Sequence, residues 1–229
     1  MKKIGMIGGV SWESTAVYYK LINEAIRDKL GGLTSAQLLI HSLNYQEIVD
    51  YENQDKWDQV SAILCGVSKQ LEESGVDFVM LCCNTLHKVA PDIEQSISVP
   101  FLHIADAAGH RLKKDKMKKI GLLGTKFTME DGFYSARLKE KFQIEVILPE
   151  AASRNIIDSI IYNELCVGVF SEQSKIILLQ AIDKLVQLGV ECVLLSCTEL
   201  GMLIKSDDCS FPVFDTTVLH AELAASLVL

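Results

Sequence analysis

Two short segments of this chain place a cysteine after an apolar run and before small polar residues. The first segment reads Leu81-Cys82-Cys83-Asn84-Thr85, and the second reads Leu195-Ser196-Cys197-Thr198-Glu199. The apolar runs before them match position by position, so that Cys83 corresponds to Cys197 and Cys82 corresponds to Ser196. Two copies of one strand–cysteine–turn unit predict two half-sites, in which the two thiols flank one small substrate.

Two thiols on opposite sides of one carbon suit one reaction in particular. One thiolate removes a proton from Cα, and the other thiol returns a proton to the opposite face. The configuration inverts, and no cofactor is needed. The two groups must start in different protonation states, which exchange with each turnover. Neighbouring hydrogen-bond donors must stabilise the carbanion-like intermediate. The pattern therefore predicts racemisation with Cys83 and Cys197 as the acid/base pair.

Hydroxyl side chains accompany these cysteines at the predicted ends of strands, where parallel α/β sheets bind their ligands. The hydroxyls of Ser11, Thr85, Thr125 and Thr198, together with backbone N–H groups, are able to bind a carboxylate there. No arginine lies in these motifs, and the nearby lysines are Lys88 and Lys126. We also expect each thiol to lie at a helix N-terminus, which lowers its pKa.

Several of these residues have a purely structural alternative. Thr125 and Thr128 fit a helix cap as well as they fit a ligand contact. Glu199 fits a partner for the dipole of a first helical turn as well as a participant in the site. His87 fits a surface or helix-capping histidine better than a partner of a catalytic base. Gly8-Gly9 lacks the spacing of a dinucleotide-binding loop and fits a tight turn.

The composition narrows the class of protein. The chain has 229 residues, of which 49% are hydrophobic and 23% are charged, and its net charge is −8. Such a balance is typical of a soluble globular protein and argues against a nucleic-acid partner. We find no apolar run long enough to cross a membrane, and the N-terminal apolar stretch is too short for a signal peptide, which predicts a cytoplasmic protein. The seven cysteines form no CxxC pair, which argues against a disulfide framework or a structural metal site.

A second repeat supports the first. The pattern Lys2-Lys3-Ile4-Gly5 returns 116 residues later as Lys118-Lys119-Ile120-Gly121, and the cysteine units are 114 residues apart. Short apolar runs alternate with amphipathic segments, which is the pattern of parallel sheets with helical crossovers. We predict an α/β fold of two pseudo-symmetric parallel-sheet domains with the active site in the cleft between them. The predicted domains are residues 1–102 with 212–229, and residues 103–211.

The predicted elements follow this alternation. Pro91 is expected to distort or restart the helix in which it lies. The predicted strands span residues 3–8, 36–41, 76–82, 99–103, 118–125, 144–148, 190–196 and 213–214. The predicted helices span residues 13–29, 56–74, 85–96, 129–141, 154–166 and 171–188, with a short helix after Cys197 and another from about residue 216.

The sequence resembles the aspartate/glutamate racemase superfamily, whose members are cofactor-independent two-cysteine racemases. The resemblance covers essentially the whole chain and is closest to the branch of aspartate and broad-specificity amino-acid racemases. The segments that carry it are Ile4–Thr15, Cys83-Asn84-Thr85, Leu123-Gly124-Thr125 with Thr128-Met129-Glu130, Cys197-Thr198-Glu199 and Pro212–Thr216.

The resemblance implies two domains, a homodimer, and Cys83 and Cys197 as the catalytic pair. Glu199 stands where glutamate racemases have a histidine, which favours the aspartate-type branch. The stretch Tyr162–Cys166 lacks the lysine that some aspartate racemases direct toward the substrate. The substrate contacts that we predict are Val10, Ser11, Asn84, Thr85, Thr125, Thr128, Thr198 and Glu199.

Other functions remain open from the sequence. Related isomerases and decarboxylases use one or both cysteine positions on maleate, hydantoins or malonate-type acids. A binding protein for small acids would use the same cleft without catalysis, although binding alone requires neither thiol. For every one of these functions, we expect no cofactor, no metal, no nucleic acid and no membrane.

Overall fold

The computed structural model describes residues 1–228, and this part of the chain contains eight strands in two four-stranded parallel sheets. The strands are β1 (Lys3–Gly8), β2 (Gln37–Ser42), β3 (Phe78–Leu81), β4 (Phe101–Leu102), β5 (Lys119–Gly124), β6 (Glu145–Ile147), β7 (Cys192–Ser196) and β8 (Val213–Asp215). Their order is β2-β1-β3-β4 in one sheet and β6-β5-β7-β8 in the other. The two sheets have the same topology, which confirms the predicted α/β fold of two similar halves.

Helices connect the strands, as parallel pairing requires. They are α1 (Trp12–Leu30), α2 (Tyr45–Asn53), α3 (Trp57–Glu73), α4 (Ala90–Ser96), α5 (Ile104–Lys114), α6 (Lys126–Glu130), α7 (Phe133–Phe142), α8 (Ala151–Asn163), α9 (Glu172–Gln187), α10 (Leu200–Leu203) and α11 (Thr216–Leu227). Short 3₁₀ helices span Thr85–Val89, Leu165–Val167 and Ser206–Asp208. Within residues 1–228, no helix combines the length and the apolar character that crossing a membrane requires.

The chain divides into two compact units. The first unit comprises Met1–Ile104 and the chain from His220 onward, and the second comprises Ala105–Leu219. The segment from 212 to 219, which we grouped with the first domain, belongs to the second unit because β8 pairs with β7. This pairing aligns Val193 with Val213 and Leu195 with Asp215.

Both faces of the central strands β1 and β3 of the first sheet are buried. Ile4 and Met6 of β1 pack into one apolar cluster with helix α1, whereas Ile7 packs into a second cluster that includes residues of α3. Successive side chains of a strand point to opposite faces, so a strand that is covered on both sides needs an uninterrupted apolar run. The same reasoning applies to β7, whose five residues are all buried.

The repeated Ile-Gly pair has a packing role in both units. A Cβ atom added to Gly5 would lie 3.1 Å from Val76 Cγ2, and one added to Gly121 would lie 2.9 Å from Leu185 Cδ1. Glycine at these positions lets the neighbouring side chains approach the central strand closely. The sequence repeat therefore reflects one packing solution used twice.

Two predicted helices are each divided in the structure. The predicted helix 85–96 is a 3₁₀ helix followed by α4, which restarts with Pro91 in its first turn, as expected. The predicted helix 129–141 is wrong as a single element. It is divided into α6 and α7 at Gly132, whose φ of 78° is incompatible with a continuous helix. Helices α2 and α5 have no counterpart in the prediction.

Candidate active site

In the first unit, the candidate residues lie beyond the carboxyl ends of two neighbouring strands. Strands β1 and β3 are paired with Ile7 opposite Leu81, and the N–H of Cys82 donates to the carbonyl of Ile7 at 2.9 Å. The chain therefore leaves both strands at the same edge of the sheet. The predicted residues at this edge are Val10, Ser11, Cys83, Asn84 and Thr85, and all five are buried.

Ser11 caps helix α1. Its hydroxyl accepts a hydrogen bond from the N–H of Ser14 at 3.4 Å, and its carbonyl accepts one from Thr15 Oγ1 at 2.8 Å. Thr15 Oγ1 also accepts the N–H of Gly9 at 2.9 Å. Gly9 has a φ of 79° and lies against the backbone of Leu43, so a side chain has no room there. The Gly8-Gly9 pair thus forms a tight turn that delivers Val10 and Ser11 to the sheet edge.

The two adjacent cysteines of the first unit lie in different surroundings. Cys82 is fully buried in the cluster that contains Ile4 and Met6, whereas Cys83 packs in the cluster that contains Ile7 and Val10. Burial, followed by the proximity of Cys83, raises the pKa of the Cys82 thiol far above its ordinary value. Cys82 is therefore an inert, packed thiol, and Cys83 is the candidate for chemistry.

The residues after Cys83 form the 3₁₀ helix Thr85–Val89, and Asn84 precedes it without a side-chain capping bond. His87 lies in this helix and is 1% exposed, so it is not a surface histidine. Its Nδ1 lies 2.6 Å from the carbonyl oxygen of Cys83, and its Nε2 accepts the N–H of Ile104 at 3.1 Å. In the sequence, the spacing of four residues between Cys83 and His87 is the feature that indicates this contact, because residues four apart in a helical segment lie close together.

The second unit repeats the arrangement. Strands β5 and β7 are paired with Gly124 opposite Ser196, so Thr125 and Cys197 leave the same edge of the sheet. The Thr125 hydroxyl accepts from the N–H of Thr128 at 3.3 Å, and the two hydroxyls are 3.0 Å apart. This geometry is a helix cap, which is one of the two roles that the sequence allows for Thr125 and Thr128. Both threonines are nevertheless buried at the sheet edge, where ligand contact remains a prediction.

A buried carboxylate lies directly on the second cysteine. The Cys197 thiol donates to Glu199 Oε2 at 3.0 Å, and the Thr198 hydroxyl donates to the same oxygen at 2.5 Å. Glu199 itself is 3% exposed. Burial, and then the negative charge of Glu199, raises the pKa of Cys197 well above its ordinary value. Cys197 is therefore a protonated thiol at neutral pH.

The expectation of a lowered thiol pKa is thus wrong for Cys197. The helix that follows it, α10, contains only four residues and therefore offers little dipole to stabilise a thiolate. Desolvation and the neighbouring carboxylate dominate instead. Glu199, which we placed among the substrate contacts, is in the structure a hydrogen-bond acceptor for Cys197 and Thr198.

Asp215 packs against helix α10, which follows the second cysteine segment. The sequence did not indicate this role. The Asp215 carboxylate accepts the N–H of Thr217 at 2.7 Å and packs against Gly201 of α10, where a Cβ atom would collide with it. The adjacent Thr216 hydroxyl donates to the carbonyl of Leu195 at 2.9 Å. Burial raises the pKa of Asp215 to about 6, although the hydrogen bonds from the backbone and the side chain of Thr217 oppose this.

We expect Asp215→Asn to stabilise the protein at pH 7 and to be nearly neutral at pH 4. Because the pKa is raised from 3.8 to about 6 on folding, the native state binds the proton more tightly. The associated stability is complete below pH 4 and is lost as the pH rises through 6. A shift of about two units corresponds to about 3 kcal/mol at pH 7. Melting temperatures of both proteins between pH 4 and pH 7.5 measure this, and a constant difference across that range would contradict it.

No group of three or more histidine, cysteine or acidic side chains within residues 1–228 is arranged to hold a metal ion. The seven cysteines are free thiols.

Comparison with known proteins relates this geometry to a family. The family model described as Asp/Glu/Hydantoin racemase matches residues 7–224. A broad-specificity amino-acid racemase of Bacillus subtilis is 25% identical over 237 aligned positions, which cover 99% of this chain and 98% of that protein.

Solved structures agree with this relationship. A Yersinia pestis protein, provisionally described as an Asp/Glu racemase, is 44% identical, with a TM-score of 0.92 and 99% coverage of both chains. An aspartate racemase homologue from Pyrococcus horikoshii is 36% identical, with a TM-score of 0.85 and again 99% coverage of both chains. The chain therefore belongs to the Asp/Glu/hydantoin racemase family, as an enzyme of the amino-acid racemase type.

Proposed function

We propose that this chain is a cofactor-independent amino-acid racemase that inverts Cα by a two-base mechanism with Cys83 and Cys197. A thiolate at one position removes the α-proton, and a thiol at the other protonates the opposite face of the planar intermediate. The protonation states are exchanged when the product leaves, so the next turnover can run in the reverse direction. The substrates are acidic amino acids, alone or within a wider set.

The equivalent placement of the two cysteines carries this proposal. Each follows the third strand, in sequence order, of a four-stranded parallel sheet, and that strand lies next to the first strand in both sheets. Each is 6% exposed, whereas their neighbours Cys82 and Ser196 are fully buried. A single buried cysteine is usually a packing residue. Two cysteines at corresponding strand ends, each followed by hydroxyl or amide side chains, favour a shared catalytic role.

The contacts of Cys197 support an assignment of the starting proton states. The Cys197 thiol is protonated and donates to Glu199, so Cys197 is the acid of the resting enzyme. Cys83 then acts first as the base. For the opposite enantiomer, Cys197 must become the base. The Glu199 carboxylate, 3.0 Å from the sulfur, is then able to take the thiol proton, and Cys83 takes up a proton from solvent so that it can act as the acid. Glu199 thus participates in proton transfer rather than in binding the substrate side chain.

Hydroxyl groups at the two sheet edges suit the α-amino and α-carboxylate groups. The Thr198 hydroxyl donates its proton to Glu199, so its oxygen acts as an acceptor, which suits an ammonium group. Ser11 and Thr125 accept backbone N–H groups that hold their hydroxyls at the two sheet edges, where we place the carboxylate of the substrate. Asn84 and Thr85 complete the first unit's contribution.

The substrate range follows from the similarity to relatives and from the cations of the chain. Lys88 lies over the Trp57 ring, with Nζ 3.9 Å from its centroid, and this contact occupies the nearest lysine of the first motif. Preference for a second carboxylate therefore depends on Lys126, hydroxyls and backbone groups. A range beyond aspartate and glutamate agrees with the full-length similarity to a broad-specificity racemase.

Proton NMR in deuterium oxide tests the proposal. Purified protein without added cofactor is incubated with each enantiomer of aspartate, glutamate and about a dozen further amino acids. We expect the α-proton signal to disappear with inversion, which chiral chromatography confirms independently. Retention of every α-proton signal across the panel would refute the proposed function.

Hydantoins are the second candidate substrates, because the matching family description includes hydantoin racemase. The same deuterium experiment with 5-substituted hydantoins separates the two candidates. Exchange of hydantoins without exchange of any amino acid would replace the first proposal. Thermal stabilisation by aspartate or glutamate without exchange would instead indicate a binding protein.

A further inference from the structure

His87 connects the Cys83 turn to the start of helix α5. β3 ends at Leu81, and beyond Cys82 the chain turns away from the sheet. The carbonyl of Cys83 is held there by His87 Nδ1 at 2.6 Å, and the other ring nitrogen accepts the backbone N–H of Ile104 at 3.1 Å. One imidazole thus bridges two backbone groups that are far apart in sequence.

These two partners define the tautomer of the His87 ring. A backbone N–H is only a donor, so Nε2 must present a lone pair to Ile104. A carbonyl oxygen is only an acceptor, so Nδ1 must carry the proton that points to Cys83. The ring is therefore neutral, with its proton on Nδ1. A second proton on Nε2 would face the N–H of Ile104, so proton transfer to His87 would break the bridge.

Packing holds the ring in this orientation. The His87 ring lies with its centroid 4.4 Å from that of His103 and 6.1 Å from that of His220. His220 is held by the Tyr18 hydroxyl at 3.0 Å and by the carbonyl of Leu102 at 2.8 Å. All three histidines are buried. A ring surrounded in this way has little freedom to reorient, and its bond to the Cys83 carbonyl is a rigid support.

We propose that His87 is a positioning residue for Cys83: its neutral Nδ1–H fixes the Cys83 carbonyl and thereby the direction of the Cα–Cβ bond that carries the sulfur. This inference rests on the acid/base role proposed for Cys83. Proton abstraction requires the sulfur to lie close to Cα in a defined direction, and a displacement of about 1 Å costs about 100-fold in rate. The bridge provides this precision at a point where strand pairing has ended.

Two variants separate the two hydrogen bonds of the ring. In His87→Asn the amide nitrogen is placed to replace Nδ1 as donor to Cys83, but the acceptor for Ile104 is lost. In His87→Gln the amide oxygen is placed to replace Nε2 as acceptor, but the donor to Cys83 is lost. We expect kcat to fall about 100-fold in His87→Gln and less than 10-fold in His87→Asn, with KM nearly unchanged in both.

Matched controls separate positioning from general destabilisation. His110→Asn alters an exposed histidine of the second unit, and Ile26→Ala removes buried apolar volume from the cluster under helix α1 of the first unit. We expect wild-type kcat in both, with a lower melting temperature in Ile26→Ala. A kcat that follows melting temperature across all four variants would overturn the positioning role, as would equal losses in His87→Asn and His87→Gln.

Two measurements without substrate keep this test independent of racemase activity. Long-range proton–nitrogen NMR of the wild type is expected to show His87 neutral and protonated at Nδ1, and His220 protonated at Nε2. Peptide-resolved mass spectrometry is expected to show a larger change in Cys83 alkylation by iodoacetamide in His87→Gln than in His87→Asn. If these results appear without any racemisation, the proposed function fails and the support of Cys83 by His87 stands. An Nε2-protonated or doubly protonated His87 would overturn the inference whatever the activity.

Discussion

We expect Cys83→Ser and Cys197→Ser each to lower racemisation by about 1000-fold and to retain α-proton exchange for one enantiomer only. A serine hydroxyl is far too weak an acid and base near neutral pH to replace a thiol, and loss of general acid–base catalysis costs roughly 10²- to 10⁴-fold. The remaining thiolate still removes and returns a proton on its own face. Deuterium then enters without inversion.

The pattern across the two variants is more informative than either loss alone. In a two-base enzyme, the enantiomer that exchanges in Cys83→Ser is the one that fails to exchange in Cys197→Ser. Proton NMR in deuterium oxide, with each enantiomer added separately, reads this directly. Exchange of the same enantiomer in both variants would contradict the assignment of the thiols to opposite faces of Cα.

Two further serine variants serve as controls. Cys82→Ser changes the residue next to Cys83 at a fully buried position, and Cys65→Ser changes a half-buried cysteine of helix α3. We expect near wild-type kcat in both, with a lower melting temperature in Cys82→Ser because a hydroxyl replaces a packed thiol. A loss of 1000-fold in Cys82→Ser with an unchanged melting temperature would move the catalytic role to that residue.

The architecture was predictable because the repeat in this chain is a packing repeat. Strands buried on both faces need uninterrupted apolar runs, and the central strands need glycine at Gly5 and Gly121, so both features appear twice in the sequence. Helix α2 lacked such a signal because only two of its residues, Ile48 and Glu52, are buried. Helix α5 begins at Ile104, next to the predicted boundary between the domains at residues 102 and 103, and no helix was predicted there.

The placement of β8 shows a different limit. Its three residues, Val213–Asp215, are too few to display a period, and the pattern of the strand does not indicate which sheet it joins. Strand β8 pairs with β7, and Asp215 at its end packs on Gly201. Such contacts exist only in the folded chain. Local patterning therefore predicted that a strand exists here, but not the unit in which it lies.

Within the candidate site, sequence reasoning was accurate for backbone-directed roles and weaker for side-chain pairs. The capping role of Ser11 follows from its position before a helix, and in the structure its hydroxyl accepts the N–H of Ser14 at the start of α1. The contacts of His87 and Glu199 depend on how two short turns direct their side chains. Glu199 is adjacent to Thr198, and a first-turn acidic residue normally indicates dipole stabilisation. Only the fold reveals that its carboxylate turns back onto the Cys197 thiol.

Glu199→Gln is expected to lower kcat/KM about 100-fold, by the same factor for both enantiomers. The glutamine amide oxygen is still able to accept the thiol hydrogen bond, but it cannot take the proton when Cys197 must act as the base. Because the equilibrium constant of racemisation is one, a loss of kcat/KM in one direction is matched in the other. Racemisation rates therefore show the size of the effect but not the cysteine through which it acts.

Exchange without inversion identifies that cysteine. In Cys83→Ser, Cys197 is the remaining base, and adding Glu199→Gln is expected to abolish the residual deuterium exchange. In Cys197→Ser, where Cys83 is the remaining base, Glu199→Gln is expected to leave exchange nearly unchanged. Glu222→Gln, at an exposed position of α11, is the control and should change neither background. Equal losses in both backgrounds would show that Glu199 acts on the site as a whole, whereas a selective loss would assign it as the proton partner of Cys197.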